Sequence, residues 1–265
     1  MSYRAFFACD FNPSAPYLQK YYFFRNDMAH QKVTGGDELI DREFKVLDKG
    51  FVRLVDYYGG DDRIVQAARV SYGEGTTTLR RDRILIRYLL ENQHTSPFEQ
   101  VVFTFHVKLP IFVARQWIRH RTARLNEMSA RYSVLPEEFY VPDESRICEQ
   151  DNINRQGSSN KPLPPDIQKK TIESIESICG KSFEAYNELL DQGVSREVAR
   201  IVLPLNTYTE WYWQMDLHNL FHFLKLRLDD HAQWEIRQYA GVIAGIVEKI
   251  VPISFEAFND FVLKP

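Results

Sequence analysis

Apolar residues recur at helical spacing along much of the chain. This spacing predicts one helix over residues 61–73 and a second over residues 76–93. The first helix begins with an aspartate suited to capping and ends at Gly73. One side of the second helix carries Leu79, Ile84, Leu85, Tyr88 and Leu89. Further helices are predicted over residues 167–190, stopped near Gly193, and over 195–204, 216–229 and 230–250.

One segment changes its period to two. Apolar and polar side chains alternate across residues 99–109, which predicts a strand with one buried face. Its apolar positions are Val101, Phe103, Phe105 and Val107, and its polar positions are Thr104, His106 and Lys108. Proline suits a first helical turn, so a helix is predicted to begin at Pro110 and to include PIFVARQWIRHR. Strands mixed with mostly separate helices predict an α+β fold.

Two regions lack clear periodicity. Residues 1–44 mix aromatic and polar residues without a regular period, which predicts an N-terminal extension on a single domain spanning residues 45–265. Residues 142–166 are polar and rich in turn-forming residues, which predicts a long surface loop. The length of 265 residues suits one large domain or two small ones.

Composition narrows the class of protein. The formal net charge is −3, from 33 lysines and arginines against 36 acidic residues, which disfavours a globally basic nucleic-acid-binding protein. The three cysteines, Cys9, Cys148 and Cys179, form no C-x-x-C pair, as is typical of a reducing compartment. No apolar run approaches the roughly 18 residues of a membrane span, and no signal-peptide core precedes the domain. We therefore predict a cytoplasmic protein with no membrane partner.

The densest chemical signal is an arginine cluster. Residues 115–131 hold five arginines and His120 against one acid, Glu127. The planar guanidinium fork suits phosphate or carboxylate, so the segment predicts an anion-binding site. The alternative is a helix face that pairs with acids elsewhere. Two further arginines on helices, Arg200 and Arg227, favour a pocket for a polyanion.

Other candidate chemistry is weaker. His218 and His222 share a helical face and His231 follows, which allows a metal site, but there is no H-E-x-x-H motif. Ser129 lacks a general base that the sequence can identify, so a hydroxyl donor to a ligand is favoured over a nucleophile. The stretch GEGTTT lacks the third glycine of a dinucleotide fingerprint, and no P-loop exists. We predict neither a Rossmann domain nor a metal.

Residues 119–129 read Arg-His-Arg, seven residues, then Ser, and this resembles the signature of the flavin-dependent thymidylate synthases. Six further stretches resemble that family in the same order, so the likeness covers about residues 45–262. These stretches are LDKGFVRLVD (47–56), AARVSY (67–72), HTSPFEQVVFTFHVKLPIFVARQWIRHR (94–121), NEMSARYS (126–133), REVARIVLPLNTYTEWYW (196–213) and LKLRLDDHAQWEIRQYA (224–240).

The resemblance implies helices packed around a mainly antiparallel sheet, in a homotetramer whose active sites are shared between subunits. FAD would contact Ser96, Arg119, His120, Arg121, Glu127, Asp216, Leu217, His218 and His222. The nucleotide dUMP would contact Gln116, Trp117, Ile118, Arg119, Glu127, Met128, Ser129, Ala130, Arg131, Arg200 and Arg227. Some family members carry Asn, Arg and Asn where this chain has Asp216, His218 and His222, so the histidine pair is read as a ligand contact.

The implied reaction is reductive methylation of dUMP to dTMP. Methylenetetrahydrofolate would give the carbon and NADPH would reduce FAD, whose hydride replaces the cysteine nucleophile of other thymidylate synthases. Arg227 is the candidate catalytic residue, because a guanidinium can stabilise charge developing at N3 and O2 of the pyrimidine.

Two other classes remain open on the residues alone. The first is a single-stranded nucleic-acid-binding module, in which the 115–131 arginines hold phosphates and neighbouring aromatics stack on bases. The second is a metal hydrolase built on His218, His222 and His231.

Overall fold

An antiparallel sheet forms the centre of the fold. The computed structural model describes residues 33, 35–70 and 78–263. Its strands are β1 (Glu43–Val46), β2 (Gly50–Tyr58), β3 (Val102–Pro110), β4 (Arg124–Glu127), β5 (Cys148–Gln150), β6 (Ser158–Pro162) and β7 (Tyr208–Asp216). Five of them pair in the order β1-β2-β3-β7-β4, all antiparallel, while β5 and β6 form a separate hairpin.

Strand β3 has the alternation that its sequence predicts. Phe103, Phe105 and Val107 are fully buried, while the polar residues between them lie on the half-buried opposite face. Phe105 lies opposite Trp213 and Val107 opposite Trp211 in β7, so the two strands bury their large side chains on the same face. The core is therefore built on one face of the sheet.

Eight α-helices accompany the sheet within the described residues, and with its antiparallel pairing they confirm the predicted α+β fold. They are α1 (Asp61–Ala68), α2 (Leu79–Glu91), α3 (Ile111–Trp117), α4 (Pro165–Asp191), α5 (Arg196–Ala199), α6 (Leu217–Arg227), α7 (Trp234–Ile250) and α8 (Pro252–Phe258). Helix α3 is shorter than predicted, and α8 was not predicted. Helix α4 ends as expected, since Gly193 has a φ of +84°.

The packing of α2 differs from the prediction. The apolar side read from the sequence leaves Leu79, Ile84 and Tyr88 exposed, at 76%, 60% and 53%. The core receives Leu89, as predicted, together with Ile86 and Leu90, which the prediction did not include. The buried side of the helix also includes an aspartate, Asp82, whose carboxylate accepts a 2.7 Å hydrogen bond from an arginine after α1.

Asp61 was predicted to cap the N-terminus of α1. It is instead the first residue of α1, and its side chain caps the N-terminus of α8. Its carboxylate accepts hydrogen bonds from the backbone N–H groups of Ile253 and Ser254, at 2.8 and 3.0 Å, and from the Ser254 hydroxyl at 2.6 Å. These groups begin α8, so Asp61 joins α1 to α8. The predicted close of α1 at Gly73 lies outside the described residues.

The two regions without periodicity contain ordered elements. The segment 142–166 holds a 3-10 turn, Glu144–Arg146, and the β5–β6 hairpin. Within the predicted N-terminal extension, Ile40 bridges to Leu54 and β1 already begins at Glu43. Residues 1–32 lie outside the described part. Among the described helices, none has the length and apolarity needed to cross a membrane.

Candidate active site

The Arg-His-Arg motif lies on the turn between α3 and β4. Helix α3 ends at Trp117, which is fully buried against Trp213 and Phe223, with ring centroids 5.2 and 4.9 Å away. The backbone N–H of His120 then donates to the Trp117 carbonyl at 3.0 Å. The buried tryptophan thus anchors the turn that presents the motif.

A cleft of about 270 Å³ lies between this turn and α6, and we call it the RHR cleft. The motif supplies one wall and α6 supplies much of the other. Its lining residues are Arg119, His120, Arg121, Thr122, Met215, Asn219, His222, Leu226 and Arg227. The motif and the α6 residues His222 and Arg227 therefore meet although about 100 residues separate them in sequence.

Arg227 is held by two acceptors in the RHR cleft. Its Nε donates to Nε2 of His120 at 3.0 Å, and its Nη2 donates to the Gln116 carbonyl at 3.3 Å. Burial, with the neighbouring charges of Arg227 and His222, lowers the pKa of His120 to about 4. His120 is therefore neutral at neutral pH, as an acceptor for a guanidinium must be.

The RHR cleft carries uncompensated positive charge. Among the described residues, no carboxylate forms an ion pair with Arg119, Arg121 or Arg227. Of the five arginines in 115–131, only Arg131 has an acid partner in the described part, Glu197 at 3.4 Å. The alternative of a helix face paired with acids does not describe this segment, because α3 ends before the motif. The arrangement suits an anionic ligand.

A second cleft, of about 160 Å³, gathers another part of the predicted dUMP set, and we call it the Arg200 cleft. Glu127, Met128, Ala130 and Arg200 line it, and Thr209 donates to Glu127 Oε1 at 2.7 Å. It shares no lining residue with the RHR cleft. A single chain therefore divides the predicted dUMP residues between two places.

Ser129 lies beside the Arg200 cleft without the partners of a nucleophile. Its Oγ accepts a 3.3 Å hydrogen bond from the backbone N–H of Arg131. No histidine or carboxylate within the described ranges hydrogen-bonds to that oxygen. The geometry agrees with the preference for a hydroxyl donor.

Several residues predicted to contact FAD or dUMP have structural roles or lie outside both clefts. Asp216 caps α6, since its carboxylate accepts from both the backbone and the side-chain nitrogen of Asn219, at 2.8–3.0 Å. Leu217 is fully buried, as is Trp117. Predicted residues that line neither cleft are Ser96, Gln116, Trp117, Ile118, Ser129, Arg131, Asp216, Leu217 and His218.

The histidines do not assemble as a metal site in the described residues. His222 lies near His120, with ring centroids 6.0 Å apart, whereas the side chain of His231 is 82% exposed and bonds Asp229. No group of three potential metal ligands occurs within the part of the chain that the structure describes. The hydrolase alternative has no support from this geometry.

Sequence reasoning missed a set of supporting contacts. Gln233 accepts a hydrogen bond from the side chain of Gln116 beside the RHR cleft, and no local pattern indicated it. Asn219 could have been found, because it stands three residues after an aspartate, the spacing of a helix cap. A larger cleft of about 860 Å³ lies between the 142–160 segment and residues 230–237, where Arg146 stacks over Trp234 at 4.6 Å.

Comparisons with known proteins agree with the resemblance. Residues 53–253 match the family described as thymidylate synthase complementing protein. A flavin-dependent thymidylate synthase from Treponema denticola is 63% identical over 220 residues, covering 83% of each chain. The enzyme of that name from Thermus thermophilus is 58% identical over 219 residues, covering 83% of this chain and 79% of its own.

Solved structures extend the likeness to the fold. The UMP/dUMP methylase PolB from Streptomyces cacaoi, bound with 5-Br dUMP, superposes with a TM-score of 0.75 at 36% identity. The match covers 82% of this chain and 98% of that chain. Nothing in these relatives supports the nucleic-acid-binding alternative. The chain belongs to the flavin-dependent thymidylate synthase family.

Proposed function

We propose that the protein is a flavin-dependent thymidylate synthase. It converts dUMP to dTMP, with methylenetetrahydrofolate as the carbon donor and NADPH as the reductant of a bound FAD. The observation that carries this proposal is the RHR cleft, in which Arg227 is fixed by neutral acceptors beside two motif arginines that pair with no carboxylate of the described residues. Relatives at 52–63% identity bear the name of this activity.

The side chains of the RHR cleft suit the phosphates of a flavin nucleotide. Arg119 and Arg121 offer guanidinium forks for a diphosphate, and His120 and His222 add hydrogen-bonding groups on the same cleft. Asp216 is committed to Asn219, so we assign its carboxylate to capping rather than to the cofactor. When bound, FAD supplies a hydride to C6 of the pyrimidine.

Arg227 acts on the substrate in this account. A guanidinium aimed at N3 and O2 of uracil stabilises the negative charge that develops there when C6 accepts a hydride. Its charge is available for this role because its acceptors, His120 and the Gln116 carbonyl, are uncharged. The protein binds and polarises, and no residue need form a covalent bond to the base.

A complete site draws on two copies of the chain. The RHR cleft holds Arg119 and Arg227, whereas Arg200 lies in the other cleft with Glu127. We propose a homotetramer in which one subunit's RHR cleft faces another subunit's Arg200 cleft. Large apolar side chains left exposed near the Arg200 cleft support this assembly, notably Ile201 at 75% and Leu205 at 67%.

Product analysis tests the proposed function. The protein is stripped of flavin and incubated with dUMP, methylenetetrahydrofolate and NADPH, with and without added FAD, and nucleotides are separated by chromatography. The proposal predicts dTMP only in the complete mixture, and omission of NADPH or of folate prevents it. Failure of the folded, flavin-binding protein to form dTMP would contradict the proposal.

A further inference from the structure

The two protein acceptors of Arg227 are both uncharged. Nε donates to the imidazole of His120 and Nη2 donates to a backbone carbonyl. A guanidinium has five N–H groups, so three remain, and none of them has an acceptor in the described part of the chain. The fork is fixed at one edge and open at the other.

Arg87 shows the effect of holding an arginine with carboxylates instead of uncharged acceptors. Arg87 contacts two carboxylates, Asp260 at 2.7 Å and Glu256 at 3.2 Å, and its charge is thereby compensated. Such a pair holds an arginine in place but reduces the potential it offers to a ligand. Arg227 is also held in place, but its acceptors are uncharged and so do not reduce the potential it offers to a ligand.

The geometry points to His120 as a positioning residue for Arg227. Its neutral Nε2 fixes the guanidinium while leaving the full positive charge for the pyrimidine. This inference rests on the proposed role of Arg227 in dUMP turnover. His120 then has a role in positioning Arg227 that is distinct from its predicted contact with FAD.

The surroundings keep the His120 ring in place and uncharged. Its edge packs against Phe223 at 5.0 Å, and that phenylalanine is fully buried. The ionisable groups around it are all basic: Arg119 and Arg121 flank it in sequence, while Arg227 and His222 face it from α6. Burial and the charges of Arg227 and His222 disfavour a proton on this ring, so Nε2 stays an acceptor.

A matched pair of variants separates position from charge. His120→Gln and His120→Glu have nearly the same shape and both offer an oxygen acceptor, but only glutamate would compensate the charge of Arg227. We expect His120→Gln to keep a single-turnover rate within about fivefold of the parent, and His120→Glu to lose about a hundredfold or more. Each rate is measured at saturating dUMP on protein whose bound flavin is verified by visible absorbance. Equal rates for the two variants would overturn the inference.

A double-mutant cycle tests whether His120 acts through Arg227. His120→Phe keeps a ring against Phe223 but removes the acceptor, and its effect on dUMP affinity is measured by calorimetry in the parent and in Arg227→Ala. The expected result is a loss of about threefold in the parent and no further loss in Arg227→Ala.

Two outcomes would contradict the account in different ways. The same loss from His120→Phe in both backgrounds would overturn the positioning role alone. If Arg227→Ala left dUMP affinity and turnover unchanged, both this role and the proposed function of Arg227 would fail. His120→Gln serves as the folding control, with its melting temperature compared to that of the parent.

Discussion

Arg227 presents a planar fork rather than a point charge, and this difference is testable. Arg227→Lys keeps the charge but cannot donate to His120 and the pyrimidine in the same plane. We expect turnover to fall by about a hundredfold, while dUMP affinity falls by less than about tenfold. Single-turnover rates and calorimetric affinities measure the two effects. Equal losses in both would indicate uniform binding instead.

The depressed pKa of His120 predicts how stability depends on pH. In the folded state the pKa of His120 is about 4, whereas the ordinary value for a histidine is 6.5. The unfolded chain therefore binds a proton more readily, so this histidine stabilises the fold above about pH 6.5, and that stabilisation is lost as the pH falls towards 4.

Unfolding in urea at pH 7.5 and pH 5 measures this contribution. We expect the parent to lose more free energy of unfolding on acidification than His120→Gln, which has no titrating group at this position. An equal loss in both proteins would show that His120 is not held neutral by burial and by the charges of Arg227 and His222.

Sequence reasoning found the site best where the residue type itself dictates the chemistry. Five arginines against a single acid in residues 115–131 predicted an anion site, and two of them, Arg119 and Arg121, line the RHR cleft. It did less well where one side chain could serve two purposes. Asp216 could contact a ligand or cap a helix, and only the position of Asn219 in space decides between them.

Helix α6 carries one wall of the RHR cleft, so its first turn affects the site. Asp216→Ala removes the hydrogen bonds to Asn219, and we expect it to lower the free energy of unfolding by about 1 kcal/mol. Asp216→Asn keeps an acceptor and should cost less than half of that. Denaturant unfolding of the two variants checks the difference, and equal destabilisation would count against the capping role.

Element prediction succeeded where one face of an element is polar. Strand β3 alternates because its second face is half exposed, and the alternation identified it. Strand β7 was read only as an aromatic stretch, since aromatic residues occupy both of its faces, with Trp211 and Trp213 buried and Tyr212 at 44% exposure. The burial of α2 could not be read from its apolar residues, because Leu79 and Ile84 point away from the core of this chain.

At the scale of the whole molecule, the two clefts predict complementation between subunits. Arg200→Ala and Arg227→Ala each remove one half of every site, so each pure protein should be nearly inactive. A mixed oligomer contains some sites with both arginines intact, and we expect it to regain measurable dTMP formation. The two variants are co-expressed with different tags and purified through both.

The matched control is a mixture in which both chains carry Arg227→Ala. Mixed oligomers that stay as inactive as this control would show that Arg200 and Arg227 belong to the same subunit's site. The sequence alone could not predict this division, because it depends on which residues the fold brings together: the two clefts share no lining residue, although Arg121 of the RHR cleft and Glu127 of the Arg200 cleft are close in sequence.

The most direct test of the central claim is a single turnover with flavin as the limiting reductant. Protein carrying reduced FAD is mixed anaerobically with dUMP and methylenetetrahydrofolate, and flavin absorbance and dTMP are followed together. The account predicts one dTMP for each flavin oxidised, at a rate that falls in Arg227→Ala. Flavin that stays reduced while dTMP forms, or oxidation without dTMP, would contradict it.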